Sequence, residues 1–197
     1  MSDLLRSYGD DELIKRVETN ARNFDGWKPG VYDIWVRKNK TAKQVDIFTD
    51  KVFTYTVGDD FKPKFNMVCS GTSLTGSWAL HNFKSYDADG AAVLASDYFV
   101  RNSHAWGFHK GYRAYEQVKA FPIYRDGDFD NLAEELGKLI LDRIVKANCH
   151  CAKKNGTSTI IYNWSAGCLV RNSYTQFKNW LDFMAKRPLS VTILKEF

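Results

Sequence analysis

No run of eighteen apolar residues occurs in the 197-residue chain, so no membrane-spanning helix is expected. The first residues, Met1 to Ser7, lack the apolar core of a secretory leader, so synthesis without a signal peptide is expected. Charge of one sign never clusters: 28 Lys and Arg against 23 Asp and Glu leave a net +5, with the basic residues scattered. Nucleic acid is therefore not an expected partner, whereas an anionic polymer such as a cell wall suits a mildly basic surface. Cysteine is scarce. The four, Cys69, Cys149, Cys151 and Cys168, fall far short of a disulfide framework and read as reduced thiols made in a cytosol. Internal repeats, low-complexity stretches and an interdomain linker are also missing.

What is present is a core-forming composition, 44% apolar with 15% aromatic residues, which favours one strand-rich domain. The expected fold class is α+β, mainly β, with a helical segment over 1–30 and a single domain over 31–197. Leu13, Ile14, Val17 and Ala21 recur at helical spacing, predicting a helix over Asp10 to Phe24. Val31–Arg37 and Gln44–Phe48 read as a hairpin around the polar turn Lys38–Lys43. Further strands are expected at Val52–Val57, Phe65–Thr72, Gly76–Leu80, Gly90–Leu94, Trp106–Gly111 and Ala120–Arg125. Leu132, Leu136, Leu139, Ile140 and Ile144 predict a long inserted helix from Asn131 to Ala147, capped by Asp128 or Asp130. Then come Asn148–Cys151, a turn at Lys153–Gly156 and a return strand at Ser158–Asn163. Ser173–Gln176 has capping-box spacing ahead of a helix whose buried face is Phe177, Trp180, Leu181 and Met184. Leu189–Leu194 closes the chain as a strand.

The chemistry concentrates in Trp164-Ser165-Ala166-Gly167-Cys168-Leu169-Val170-Arg171. A cysteine after glycine, among small residues, suits a nucleophile in a tight turn, where backbone N–H groups at Gly167 and Cys168 can hold an oxyanion. A thiol needs a base, and histidine is the usual one. His150 lies 18 residues upstream of Cys168, the length of a strand, a turn and a return strand. His109 is the rival base and otherwise lines the substrate groove; His81 and His104 read as surface residues. Ser165 is expected to orient His150, and Trp164 either packs or walls the groove. Arg171 either meets a substrate carboxylate or bridges a nearby acid.

Two metal readings compete with this one. Cys149-His150-Cys151 plus Cys168 would offer zinc ligands, but along a strand residues 149 and 151 face one way and 150 the other. Asp126-Gly127-Asp128-Phe129-Asp130 opens like a calcium loop, yet no glutamate stands twelfth, so a capping turn is expected. No metal and no organic cofactor is required.

Ser165-Ala166-Gly167-Cys168, with His150 upstream, resembles the L,D-transpeptidase catalytic domain, the YkuD-type family. Ser70–Gly76 looks like that family's upstream Ser-Thr-Gly stretch. Closer still are phage and prophage endolysin-type members, to which His109-Lys110-Gly111-Tyr112-Arg113-Ala114, Tyr124-Arg125-Asp126 and Trp164–Cys168 are similar. The likeness covers about residues 30 to 197. The family arginine stands two residues after the cysteine; here that place is Val170, and Arg171 comes one later. The resemblance implies an L,D-transpeptidase-like β-sandwich core and a Cys168–His150 pair acting through a thioacyl-enzyme. It also implies Arg171, Trp164, His109 and Tyr112 as substrate contacts. The expected activity is hydrolysis of peptidoglycan stem peptides at the cell wall, during host lysis or from a virion. The alternatives are cross-link formation and a non-catalytic virion or wall-binding protein.

Overall fold

The structure, a computed structural model, describes residues 8–38, 46–85 and 87–197. Strands β1 (Gly30–Arg37), β2 (Asp50–Val57), β3 (Pro63–Thr72), β5 (Tyr98–His109), β6 (Tyr112–Gln117), β8 (Cys149–Cys151), β9 (Leu169–Arg171) and β10 (Leu189–Lys195) form one closed ring. Its order is β1-β10-β5-β6-β8-β9-β3-β2, while β4 (Ala91–Leu94) and β7 (Ile123–Asp126) pair separately. The helices are α1 (Asp10–Asn20), α2 (Ser77–Asn82) and α3 (Tyr174–Met184). The protein is thus mixed α and β, mainly β. Its main sheet closes on itself rather than stacking as the expected sandwich.

Closure depends on very short strands and on one glycine. β8 and β9, each a three-residue strand, fill the gap between β6 and β3. At Gly71, which pairs with Arg171, a Cβ would lie 2.7 Å from the Trp35 ring and 2.8 Å from the Val170 carbonyl. Only glycine lets β3 come that close.

β1 is apolar on both faces because it is covered on both. Val31 and Trp35 join the inner core with Tyr115, Leu169, Trp180 and Val191. Tyr32, Ile34 and Val36 instead meet Leu13, Val17 and Ala21 of α1. Alternate residues thus serve two clusters, as the side-chain period of a strand requires. On α3, Ser173 caps the N-terminus by accepting from the Gln176 N–H, and Phe177, Trp180 and Met184 are buried as expected, whereas Leu181 is only half-buried.

Several sequence expectations change. α1 ends at Asn20, short of Phe24. The expected hairpin partner Gln44–Phe48 lies partly outside the described residues; Ile47 makes only a single bridge, to Ile160. β1 pairs instead with β2 and β10. Gly76–Leu80 is helical, as α2. The return strand at Ser158–Asn163 is replaced by turns and one isolated bridge, at Ile160.

The long helix over Asn131–Ala147 does not form. Its backbone groups go to tertiary partners: Glu134 N–H donates to Asp126, and Ile140 exchanges both backbone bonds with Ile123. The N–H groups of Val145 and Ala147 converge on Gln117 Oε1, and Gly137 and Lys146 take positive φ. With the ladder unavailable, Leu136 and Ile144 of the supposed apolar stripe stand exposed. Asp128 and Asp130 do make capping-type turns, accepting from Asp130 N–H and Leu132 N–H, but they cap no helix.

Candidate active site

His150 and Cys168 meet through a parallel pairing, not the expected hairpin. β8 and β9 run side by side with His150 opposite Val170 and Cys149 opposite Leu169. Leu169 N–H also donates to the Asn148 carbonyl at 3.0 Å, which extends the pairing to the strand's start. Cys168 therefore arrives one residue before β9, alongside His150. Its Sγ and one ring nitrogen each of His150 and His109 all lie within 4.8 Å of one another.

The imidazole of His150 is anchored at Nδ1, and the Trp164 backbone also lies near enough to favour its charged form. Its Nδ1 lies 3.0 Å from the Cys151 carbonyl and 3.0 Å from the Tyr112 hydroxyl, which also donates to that carbonyl at 3.2 Å. A carbonyl can only accept, so Nδ1 carries the proton and Nε2 carries the lone pair. Nε2 is buried and has no hydrogen-bond partner among the described residues. The His109 ring lies parallel to that of His150, with 4.0 Å between centroids and 6° between planes.

The turn carrying the sulfur is fixed by its small residues. Gly167 has φ +107°, and a Cβ there would sit 2.9 Å from the Ala92 carbonyl. Ser165 Oγ donates to the Cys168 carbonyl at 2.9 Å and accepts from Gly167 N–H at 3.3 Å. Two expectations are thereby corrected. Ser165 shapes the cysteine turn rather than orienting His150, and the Gly167 N–H already has Ser165 as its acceptor rather than being free for an oxyanion.

Burial keeps both reacting groups neutral at rest. It pushes the Cys168 thiol up to about 11, partly offset by hydrogen bonds from the Asn148 and Ala166 backbone. It pulls His150 down to about 3, helped by the neighbouring His109. The thiol lies 3.7 Å from the Lys146 carbonyl, to which it can donate, and burial disfavours a thiolate–imidazolium pair. Such an arrangement can support general base catalysis, in which the proton would pass from Sγ to Nε2 as the sulfur attacks a carbonyl.

The remaining predicted residues separate into groups. Tyr112 stands at the site, where it buttresses His150, a role its sequence context did not reveal. His109 is half-buried beside the base. Trp164, 36% exposed, sits on the outer side of the cysteine turn. Arg171 lies elsewhere and is corrected as a substrate contact. It is wholly buried, ion-paired with Asp33, stacked 3.9 Å over Trp180 and 2.7 Å from Cys149 Sγ. Of its two possible roles, the bridge to an acid is the one found. The partner could have been suspected, because Asp33 is the lone acid in β1 among apolar neighbours, and a buried carboxylate demands a cation. His104 is buried too, not at the surface. The alternation of Cys149 toward Arg171 and His150 toward Cys168 follows the strand period and splits the Cys149-His150-Cys151 zinc arrangement.

A groove of about 430 Å³ opens next to Tyr112. Phe108 and Tyr174 supply apolar wall, and Arg113, Lys154 and Lys178 outnumber the single acid, Asp182. Lys154 lies 5.6 Å above the Tyr112 ring, so the cationic wall abuts the residue that holds the base.

Fold and site together define a mainly β protein, closed as a barrel, with a buried thiol facing a pair of imidazoles. Comparison with models of protein families, with curated proteins and with solved structures found no match to this chain.

Proposed function

We propose that this protein is a cysteine-dependent acyl-transfer enzyme of L,D-transpeptidase-like type that hydrolyses peptidoglycan stem peptides. The observation that carries the reading is the Cys168 sulfur beside a His150 ring whose Nδ1 is anchored and whose Nε2 is free to accept a proton. In the reaction, Nε2 takes the thiol proton as sulfur attacks a peptide carbonyl. The imidazolium then protonates the departing amine, leaving a thioester that water cleaves. Stem peptides carry free carboxylates, and the Arg113–Lys154–Lys178 wall supplies the charge that Arg171, spent on Asp33, does not. The site of action would be the bacterial wall.

The test is incubation with purified peptidoglycan, with muropeptide masses read for wild type and Cys168→Ala. New fragments from wild type alone support the reading; unchanged muropeptides from both remove it. A second reading, a wall-binding protein without turnover, draws on the 8% exposure of Cys168. It predicts a thiol that a maleimide labels only in denaturant, whereas the enzyme reading predicts labelling of native Cys168 that His150→Ala suppresses.

A further inference from the structure

We propose that His109, His150 and Cys168 form a binding site for a thiophilic divalent cation of the Zn²⁺ class, which caps the sulfur when bound. This goes beyond the enzymatic reading and does not need it: the site is defined by donor atoms alone.

The donor set comes first. Two imidazole nitrogens and one sulfur lie within 4.8 Å of one another, drawn from the end of β5, from β8 and from the turn before β9. Nitrogen and sulfur donors in this number are what zinc takes in sites that keep a fourth position open. From the usual bond lengths, the donors of a tetrahedral ion stand about 3.5 Å apart, so donors up to 4.8 Å apart must close by as much as about 1.3 Å. The half-buried His109 ring supplies that movement by tilting out of its stack on His150, since parallel rings cannot both aim a lone pair at one ion.

The second observation is independent of the clustering. His150 is 1% exposed, and its Nε2 is buried with no hydrogen-bond partner among the described residues. A buried polar atom without a partner is costly. Its ring is also already oriented as metal-ligating histidines are, with the other nitrogen bonded to a backbone carbonyl, here that of Cys151. Tyr112 braces the same nitrogen at 3.0 Å. Asn148 Nδ2 donates to His109 Nδ1 at 3.4 Å, a long bond that the tilt of the His109 ring gives up, freeing a nitrogen lone pair for an ion.

Binding replaces the S–H bond by an S–metal bond and releases one proton per ion to solvent. Bound to the ion, the sulfur is a poorer nucleophile, and Nε2, its lone pair on the metal, cannot accept a proton. Metal and acyl chemistry exclude each other at this site.

The experiment uses the full chain, reduced and stripped with a chelator that is then removed. Calorimetry with Zn²⁺ should give one site per chain, and Co²⁺ should give a thiolate-to-cobalt charge-transfer band. Added Zn²⁺ should slow maleimide labelling of Cys168 at least tenfold. Cys168→Ser should abolish the cobalt band, and His109→Gln should weaken Zn²⁺ binding at least tenfold. A band that persists in Cys168→Ser would place the thiolate at another cysteine and overturn the proposal. Undiminished Zn²⁺ affinity in His109→Gln, with an unchanged melting temperature, would overturn it as well. Because every readout is binding or labelling, inactivity on peptidoglycan leaves the result interpretable.

Discussion

The guanidinium of Arg171 and the carboxylate of Asp33 face each other inside the barrel, both side chains withdrawn from water. Asp33 also accepts from Thr54 Oγ1 at 2.6 Å, so each charge is held by more than one partner. Removing one partner strands the other. Arg171→Met should cost about 3–5 kcal/mol of unfolding free energy. Asp33→Leu combined with Arg171→Met should recover a large part of that loss, read from urea midpoints. Equal loss in single and double variants would mean that the pair does not act as a unit.

Tyr112 should matter through a single oxygen. Tyr112→Phe keeps the ring that walls the groove and deletes the hydroxyl that touches His150 Nδ1 and the Cys151 carbonyl. A hydrogen bond worth about 1 kcal/mol translates to roughly fivefold. The rate of Cys168 labelling in metal-free buffer should fall by that factor while the melting temperature changes little. An unchanged rate would show that the imidazole needs no brace.

Asp126 makes stability depend on pH in an unusual direction. Burial raises its carboxyl to about 6, and nearby Asp128 and Asp130 add to the rise. Being raised above the unfolded value near 3.9, the group stabilises fully below that value, and the contribution is lost as pH climbs through 6. Asp126→Asn keeps an oxygen for the Glu134 N–H and removes the charge. The stability of wild type relative to Asp126→Asn should therefore decline from pH 4 to pH 6 and level off above. A flat difference across that window would refute the buried carboxyl's role.

The cationic wall should act on substrate binding and not on the thiol. Charge reversal of Lys154 and Lys178 to Glu removes two of the three cations of the groove. With peptidoglycan as substrate, apparent affinity should drop about tenfold or more, and added salt should narrow the gap to wild type. Labelling of Cys168 by a neutral maleimide should stay within about twofold. Equal loss of both would place the lysines in folding instead.

How much of this was legible in the sequence follows from the range of the forces involved. Strands such as Val31–Arg37 and Leu189–Lys195 announce themselves through local composition, as does the helix after Ser173. The pairing of Cys168 with His150 was read from residue types, while the parallel ladder that achieves it was not, because register is set by distant partners. Asn131–Ala147 has a helical apolar period, yet Gln117, Ile123 and Asp126 take its backbone donors, and nothing local records that competition. Arg171 was placed between two roles, and only the third dimension shows that Asp33 occupies it. Tyr112 lies 38 residues from His150, and no spacing rule links a tyrosine to an imidazole at that distance.

The strand latest in the chain, β10, lies between the earliest, β1, and β5. A nascent chain that has emerged only as far as Cys168 thus holds its nucleophile but lacks the stave that shuts the barrel. Closure of the ring that carries β8 and β9 therefore waits for Leu189–Lys195, the last strand to be synthesised.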